Sequence, residues 1–145
     1  MPDAAILVLT SLPDHAAASA LARTLVTGRL AACVNIGAPV ESLYHWQGRL
    51  ETTREVPLSI KTRALLYDEV QAAIVAAHPY QLPEVLAIPV THGLDRYLDW
   101  ITTETGAAET SGAETGAAQP VTATETATAT QVATSTVTSV LGYWY

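Results

Sequence analysis

Ala5-Ile6-Leu7-Val8-Leu9 is a short, unbroken apolar run, the pattern of a strand buried on both faces. It breaks at Ser11-Leu12-Pro13-Asp14, where Ser11 and Asp14 resemble a helix N-cap pair and Pro13 suits a first helical turn. A helix is predicted next. Ala18, Leu21, Ala22, Leu25 and Val26 form its apolar stripe, and Gly28 is placed to end it. A second apolar strand follows at residues 30–36. The Gly37-Ala38-Pro39 irregularity after it reads as a bulge or bend that leads into a further strand, Val40 to Trp46.

Gln47-Gly48 is a turn signal, so Arg49 to Arg63 reads as the returning arm of a long hairpin. Its first half, Glu51 to Glu55, is polar and is expected to face solvent or a neighbouring subunit; its second half, Val56 to Ile60, is apolar. Thr62 is positioned to cap a second helix, on which Leu66, Val70, Ala73, Ile74 and Ala77 mark the buried face. His78-Pro79-Tyr80 stops that helix. Val85 to Val90 supplies a last strand, with Pro89 near an edge or strand end, and Leu94 to Thr103 a short closing helix. The order β-α-β-β-α-β plus a terminal helix is the ferredoxin-like α+β arrangement with an unusually long central hairpin. This architecture hosts many unrelated activities, so it does not by itself give a function.

From residue 106 the pattern is lost. Thr supplies ten of the last forty residues, Ala, Ser, Gly and Glu supply most of the rest, and large apolar residues are nearly absent until Val137. Such composition cannot bury enough surface to offset the entropy of ordering, so residues 1–105 are read as the domain and 106–145 as a low-complexity, disordered tail. An accessory role is the other reading of the tail. Thr occupies every second position from Thr122 to Thr130, and the apolar end, Val137 to Tyr145, is able to pair as an edge strand or dock on a subunit.

Charge narrows the function. All seven basic residues precede residue 97, against eleven acidic ones before residue 106, which leaves the domain near −4 and without a basic stripe. Nucleic-acid binding, which depends on Lys and Arg at phosphates, is excluded on that ground. The apolar N-terminal run is far too short to span a membrane, and no basic leader precedes it, so no membrane partner is expected and the cytoplasm is the expected compartment. Cys33 is the only cysteine, which rules out an intrachain disulfide and fits a reducing compartment. No P-loop, dinucleotide fingerprint, CxxC, HExxH or nucleophile triad occurs, so no enzyme activity is predicted.

The residues with chemistry are few. Thiolate and imidazole suit copper and zinc, and the domain holds Cys33 with His15, His45, His78 and His92, all far apart in sequence. Cys33 reads first as a small buried hydrophobe, and His78, at a helix end, as a cap or surface residue as readily as a ligand. Lys61 is a candidate pocket residue or a partner for Glu84; Tyr80, Trp46 and Trp100 are candidate ligand contacts or packing.

The stretches Leu30-Ala-Ala-Cys-Val-Asn-Ile36, Ser42-Leu-Tyr-His-Trp-Gln-Gly48, Ile60-Lys-Thr62, His78-Pro-Tyr-Gln-Leu-Pro-Glu84, Pro89-Val-Thr-His-Gly93 and Tyr97-Leu-Asp-Trp100 together resemble the CutA family of divalent-cation tolerance proteins. The resemblance covers nearly all of residues 4–104. It implies a ferredoxin-like subunit in a tight homotrimer whose long hairpins extend one another's sheets, and a cytoplasmic role linked to copper and other divalent ions. Cys33 and His78 carry over as candidate metal contacts. Some copper-binding members also have a Cys near the end of the first strand and a second His before the HPY motif, where this chain has Thr10 and Ala77, so only part of that ligand set remains. The leading expectation is a non-enzymatic trimer that binds a divalent ion weakly through His78 and Cys33 near Glu84. The alternative is a signalling or scaffold trimer that holds a small anionic ligand in an intersubunit cleft lined by Lys61, Tyr80, Glu84, Trp46 and Trp100.

Overall fold

The computed structural model describes residues 3–106. The elements run β1 (Ala5–Leu12), α1 (His15–Thr27), β2 (Cys33–Ile36), β3 (Val40–Trp46), β4 (Arg49–Arg63), a 3-10 turn (Ala64–Leu66), α2 (Tyr67–Ala77), β5 (Leu86–Pro89) and α3 (Asp95–Glu104). All five strands join one antiparallel sheet in the order β2-β4-β1-β5, with β3 on the same edge of β4 as β2. This is the predicted ferredoxin-like topology. The readings of the tail fall outside the described residues.

Alternation along β1 and β4 decides which face is the core. Ile6, Val8, Thr10 and Leu12 of β1 and Val56, Leu58, Ile60 and Thr62 of β4 are buried, while the residues between them are half-buried. The buried set meets Ala18, Leu21 and Leu25 of α1 and Val70 and Ile74 of α2, so both helices cover one face. The expectation that β1 is buried on both faces does not hold within the chain, because its second face is only partly covered, by α3.

Local chemistry explains the boundaries. Asp14, not Ser11, caps α1, accepting a 2.8 Å bond from the Ala17 N–H. Ser11 still belongs to β1. Gly28 is the C-cap, but the left-handed residue is Arg29, at φ 60°, and the Arg29 and Leu30 N–H groups return to the Val26 and Leu25 carbonyls. Thr62 caps nothing; it lies inside β4 and donates to the Leu30 carbonyl at 2.6 Å, and α2 begins only after the 3-10 turn. Val26 and Ala77, placed on buried helix faces by periodicity, are exposed.

The irregularity at 37–39 is a break in one bent strand. β2 and β3 both pair with β4, and across the gap the Gly37 N–H still reaches the Pro57 carbonyl at 2.9 Å. A Cβ at Gly37 would lie 2.8 Å from Pro57 Cγ, so only glycine allows the two chains to approach this closely. At the far end, Gln47 and Gly48 both have positive φ, the geometry of a two-residue hairpin turn whose twist matches its strands.

Between residues 40 and 55 the hairpin extends past the rest of the sheet. β1 pairs with β4 only from Val56 to Arg63, so Arg49–Glu55 and β3 form a two-stranded ribbon with neither outer edge paired among the described residues. No residue of the ribbon is fully buried, and Leu43 and Leu50 are 62% and 65% exposed.

The end of α3 is held by two arginines. Arg63 donates to the Thr105 hydroxyl and carbonyl and pairs with Asp3, while Arg29 pairs with Glu104.

Candidate functional site

The residues singled out by sequence separate into three places. Register places Cys33, Lys61, Leu7 and Ile88 in one cross-strand row, on the face opposite α1 and α2. Lys61 Nζ lies 5.7 Å from the centroid of the Tyr97 ring, and Tyr97 in turn is tilted against Trp100 at 5.4 Å. A lysine over an aromatic face is a favourable cation–π contact. Among the described residues no carboxylate lies within salt-bridge distance of Lys61, so the anticipated pairing with Glu84 does not form. Cys33 is a free, half-buried thiol beside it.

The second place is the turn after α2. Here His78 is 9% exposed and accounts for both of its ring nitrogens: Nε2 is 2.6 Å from the Ser11 carbonyl, and Nδ1 accepts from the Tyr80 N–H at 3.2 Å. The Tyr80 ring stacks on it at 4.6 Å, tilted by 54°. The same Ser11 donates its hydroxyl to Glu84 at 3.3 Å, so β1 ties both ends of the 78–84 turn. Burial, with the negative charge of Glu55, the neighbouring Tyr44 and then Asp14, pushes the Tyr80 hydroxyl above its ordinary pKa. Tyr44 itself accepts from Thr53 at 3.3 Å.

The third place is the ribbon tip, where Trp46 faces Arg49. Twelve residues of extended β4 separate Arg49 from Lys61, about 40 Å of strand. Trp46, Lys61 with Trp100, and Tyr80 with Glu84 therefore do not line one cleft within a single chain. Of the other histidines, His15, His45 and His92 are exposed.

A divalent ion held by N, O and S donors needs several lone pairs converging on one point. The donors proposed for it do not converge in one chain. Ser11, the residue bonded to His78, pairs with Pro57, four positions along β4 from Lys61 and its neighbour Cys33, a separation of about 13 Å along the strand. Among the described residues no group of three or more His, Cys, Asp and Glu is arranged to hold a metal ion. Among the described residues, those of one chain do not fit a complete metal centre.

Two grooves among the described residues lie elsewhere. One runs along the ribbon base, lined by Pro39, Val40, Glu41, Thr52, Thr53 and Arg54; the other lies between the ends of α1 and α3, beside Arg29 and Glu104. Neither is lined by a candidate metal or ligand residue. Sequence reasoning also passed over Ser11, Asp14, Tyr44 and Glu55 around Tyr80, and Tyr97 under Lys61. Tyr97 and Trp100 carried a signal, being one helical turn apart; the others meet only through the register of β1 with β4 and the packing of the turn.

Comparison with known proteins agrees with the topology. A family profile described as CutA1 divalent ion tolerance protein matches residues 6–104. The chain is 41% identical over 100 residues to the chloroplastic protein CutA of Arabidopsis thaliana, a match covering 69% of this chain and 55% of that one, so it spans only about half of that relative. It is 39% identical over 99 residues to the divalent-cation tolerance protein CutA of Thermus thermophilus, covering 68% of this chain and 96% of that protein. Among solved structures, CutA from Xylella fastidiosa matches with a TM-score of 0.69 at 43% identity, over 70% of this chain and 98% of that one. With its ferredoxin-like sheet, its long ribbon and these matches, the chain belongs to the CutA1 divalent ion tolerance protein family.

Proposed function

We propose that this chain works as a homotrimer that binds a divalent ion, copper among them, at sites completed between subunits, and that it does so without catalytic turnover. The observation that carries this reading is the ribbon. A two-stranded hairpin standing alone is marginal in water, and open strand edges template pairing with other chains. Here β3 and the first half of β4 expose Leu43, Leu50, Tyr44 and Trp46 together with two edges unpaired among the described residues. Closed pairing with ribbons of neighbouring copies covers these edges and apolar residues without opening a route to filaments. The Cys33 row lies on the half-covered sheet face, so a neighbour that covers this face brings further donors to its thiol. A single unpaired thiol suits the reducing cytoplasm.

A second reading is favoured by Lys61, a half-buried ammonium with aromatic contacts and no carboxylate partner among the described residues. Such a group suits a small anion held in an intersubunit cleft, in a trimer that signals or scaffolds. The two readings differ in which variant fails.

The test is calorimetric titration of the reduced full chain with Cu²⁺ and Zn²⁺, beside Cys33→Ser and Lys61→Ala, with the mass followed by light scattering. The proposal expects three times the chain mass and saturable binding that Cys33→Ser weakens by about tenfold or more. A monomer at micromolar concentration overturns the assembly, and a trimer that takes up neither ion overturns the cation site and turns attention to anions and Lys61.

A further inference from the structure

His78 carries a pattern of bonds that a metal ligand does not have. A carbonyl only accepts and a backbone N–H only donates, so its two partners fix the ring chemistry without reference to any hydrogen position. Nε2 bears the proton and donates to the Ser11 carbonyl, and Nδ1 keeps its lone pair and accepts from the Tyr80 N–H. The ring is neutral, largely buried, and stacked on Tyr80. The charged and titratable groups gathered around this turn are Glu84, joined to it through Ser11, and Asp14, Glu55 and Tyr44 around the Tyr80 hydroxyl.

We propose that His78 in this chain is a positioning residue, a neutral imidazole locked in its Nε2–H tautomer that fixes residues 78–84 against the end of β1, and that it is not a ligand of the divalent ion.

Each route to ligation breaks what is present. Binding an ion at Nδ1 takes the lone pair that Tyr80 N–H uses and leaves that backbone donor without its acceptor. Binding at Nε2 first moves the proton to Nδ1, which breaks the bond to Ser11 and turns two donors, Nδ1–H and Tyr80 N–H, toward each other. Orphaning one backbone group lowers apparent affinity by about tenfold, and the second route orphans two. The lock also has a use. Its two bonds and the Ser11–Glu84 bond set where Tyr80 and Glu84 stand relative to β4, so His78 acts on the turn's surface through other residues. This inference rests on the cation reading only in naming the ion; the tautomer is independent of it.

The deciding experiment uses the full chain. Long-range ¹⁵N–¹H spectra of the histidine rings, before and after Zn²⁺, report the His78 tautomer, and calorimetry compares Cu²⁺ binding to wild type and His78→Gln, which keeps a donor near the Nε2 position. The expected result is an Nε2–H tautomer in the metal-free protein, unmoved by Zn²⁺, with the Cu²⁺ affinity of His78→Gln within about twofold of wild type. An Nδ1–H tautomer overturns the proposal. So does displacement of the His78 resonances by Zn²⁺ with a loss of about tenfold or more in His78→Gln, as expected for a true ligand. If the chain binds neither ion, the cation reading fails, and the proposal stands or falls on the tautomer of the wild-type ring, which also decides it if His78→Gln does not fold.

Discussion

The two halves of β4 are one strand under two sets of conditions. From Val56 to Thr62 every second side chain is buried under α1 and α2, and β1 pairs along the same stretch. From Arg49 to Glu55 no side chain is buried and only β3 pairs. Backbone hydrogen bonding is present in both halves, so the difference lies in the apolar cover. Burying an aliphatic side chain contributes about 1.5–3 kcal/mol, whereas one exposed on a ribbon contributes little until something covers it. The second half of β4, Val56 to Arg63, therefore belongs to the chain's own core, and the first half, Arg49 to Glu55, does not.

The largest effects should break this contrast directly. Ile60→Ala, in the covered half, is expected to lower the unfolding free energy by about 2–5 kcal/mol in denaturant titrations. The double variant Leu43→Asp/Leu50→Asp is expected to leave the near-UV circular dichroism of the core unchanged while the mass by light scattering falls to that of one chain. Loss of the folded core in the double variant would mean that the ribbon is part of the subunit's own stability.

A smaller effect lies within the covered half. Thr10 is 1% exposed and its Oγ1 has no hydrogen-bond partner among the described residues. A buried hydroxyl without a partner destabilises, so Thr10→Val, nearly isosteric, should raise the unfolding free energy by about 1 kcal/mol at matched protein concentration. A loss of stability would show that the hydroxyl has a hydrogen-bond partner.

The smallest effect is at the boundary between the halves, where Tyr80 stands near Glu55 and Tyr44. Its pKa is raised by burial first and by neighbouring negative charge second. A raised acid favours the protonated form in the folded state, so its contribution is full below the unfolded value near 10 and is lost as pH rises through the higher folded value. Stability should decline more steeply above pH 10 in wild type than in Tyr80→Phe, measured by thermal unfolding across pH 9–11. Equal slopes would remove Tyr80 from the polar cluster at the turn.

Much of this was legible in the residues. The helical stripe at Ala18, Leu21, Ala22 and Leu25, the apolar arm Val56 to Ile60 and the turn at Gln47-Gly48 each predict the element observed, because periodicity and turn chemistry are local. Caps were less legible. Ser11 and Thr62 have the right side chains for caps, yet β1 and β4 hold them in the sheet, where ladder pairing outweighs a single cap bond. The candidate site was legible only as a list. His78, Tyr80 and Glu84 are close in sequence and stand at one turn, whereas Trp46 lies at the ribbon tip, about 40 Å of strand from Lys61 and the Tyr97–Trp100 pair within one chain.

The sequence by itself determined the order of elements, the helix faces, the long hairpin and the family, since each depends on short-range patterns or on motifs readable one residue at a time. Only the tertiary structure decided that Cys33 neighbours Lys61, that Tyr97 covers it, and that both nitrogens of His78 are committed to Ser11 and Tyr80. Those facts depend on strand register and on which backbone groups a folded turn leaves needing a partner, and both are set by long-range packing.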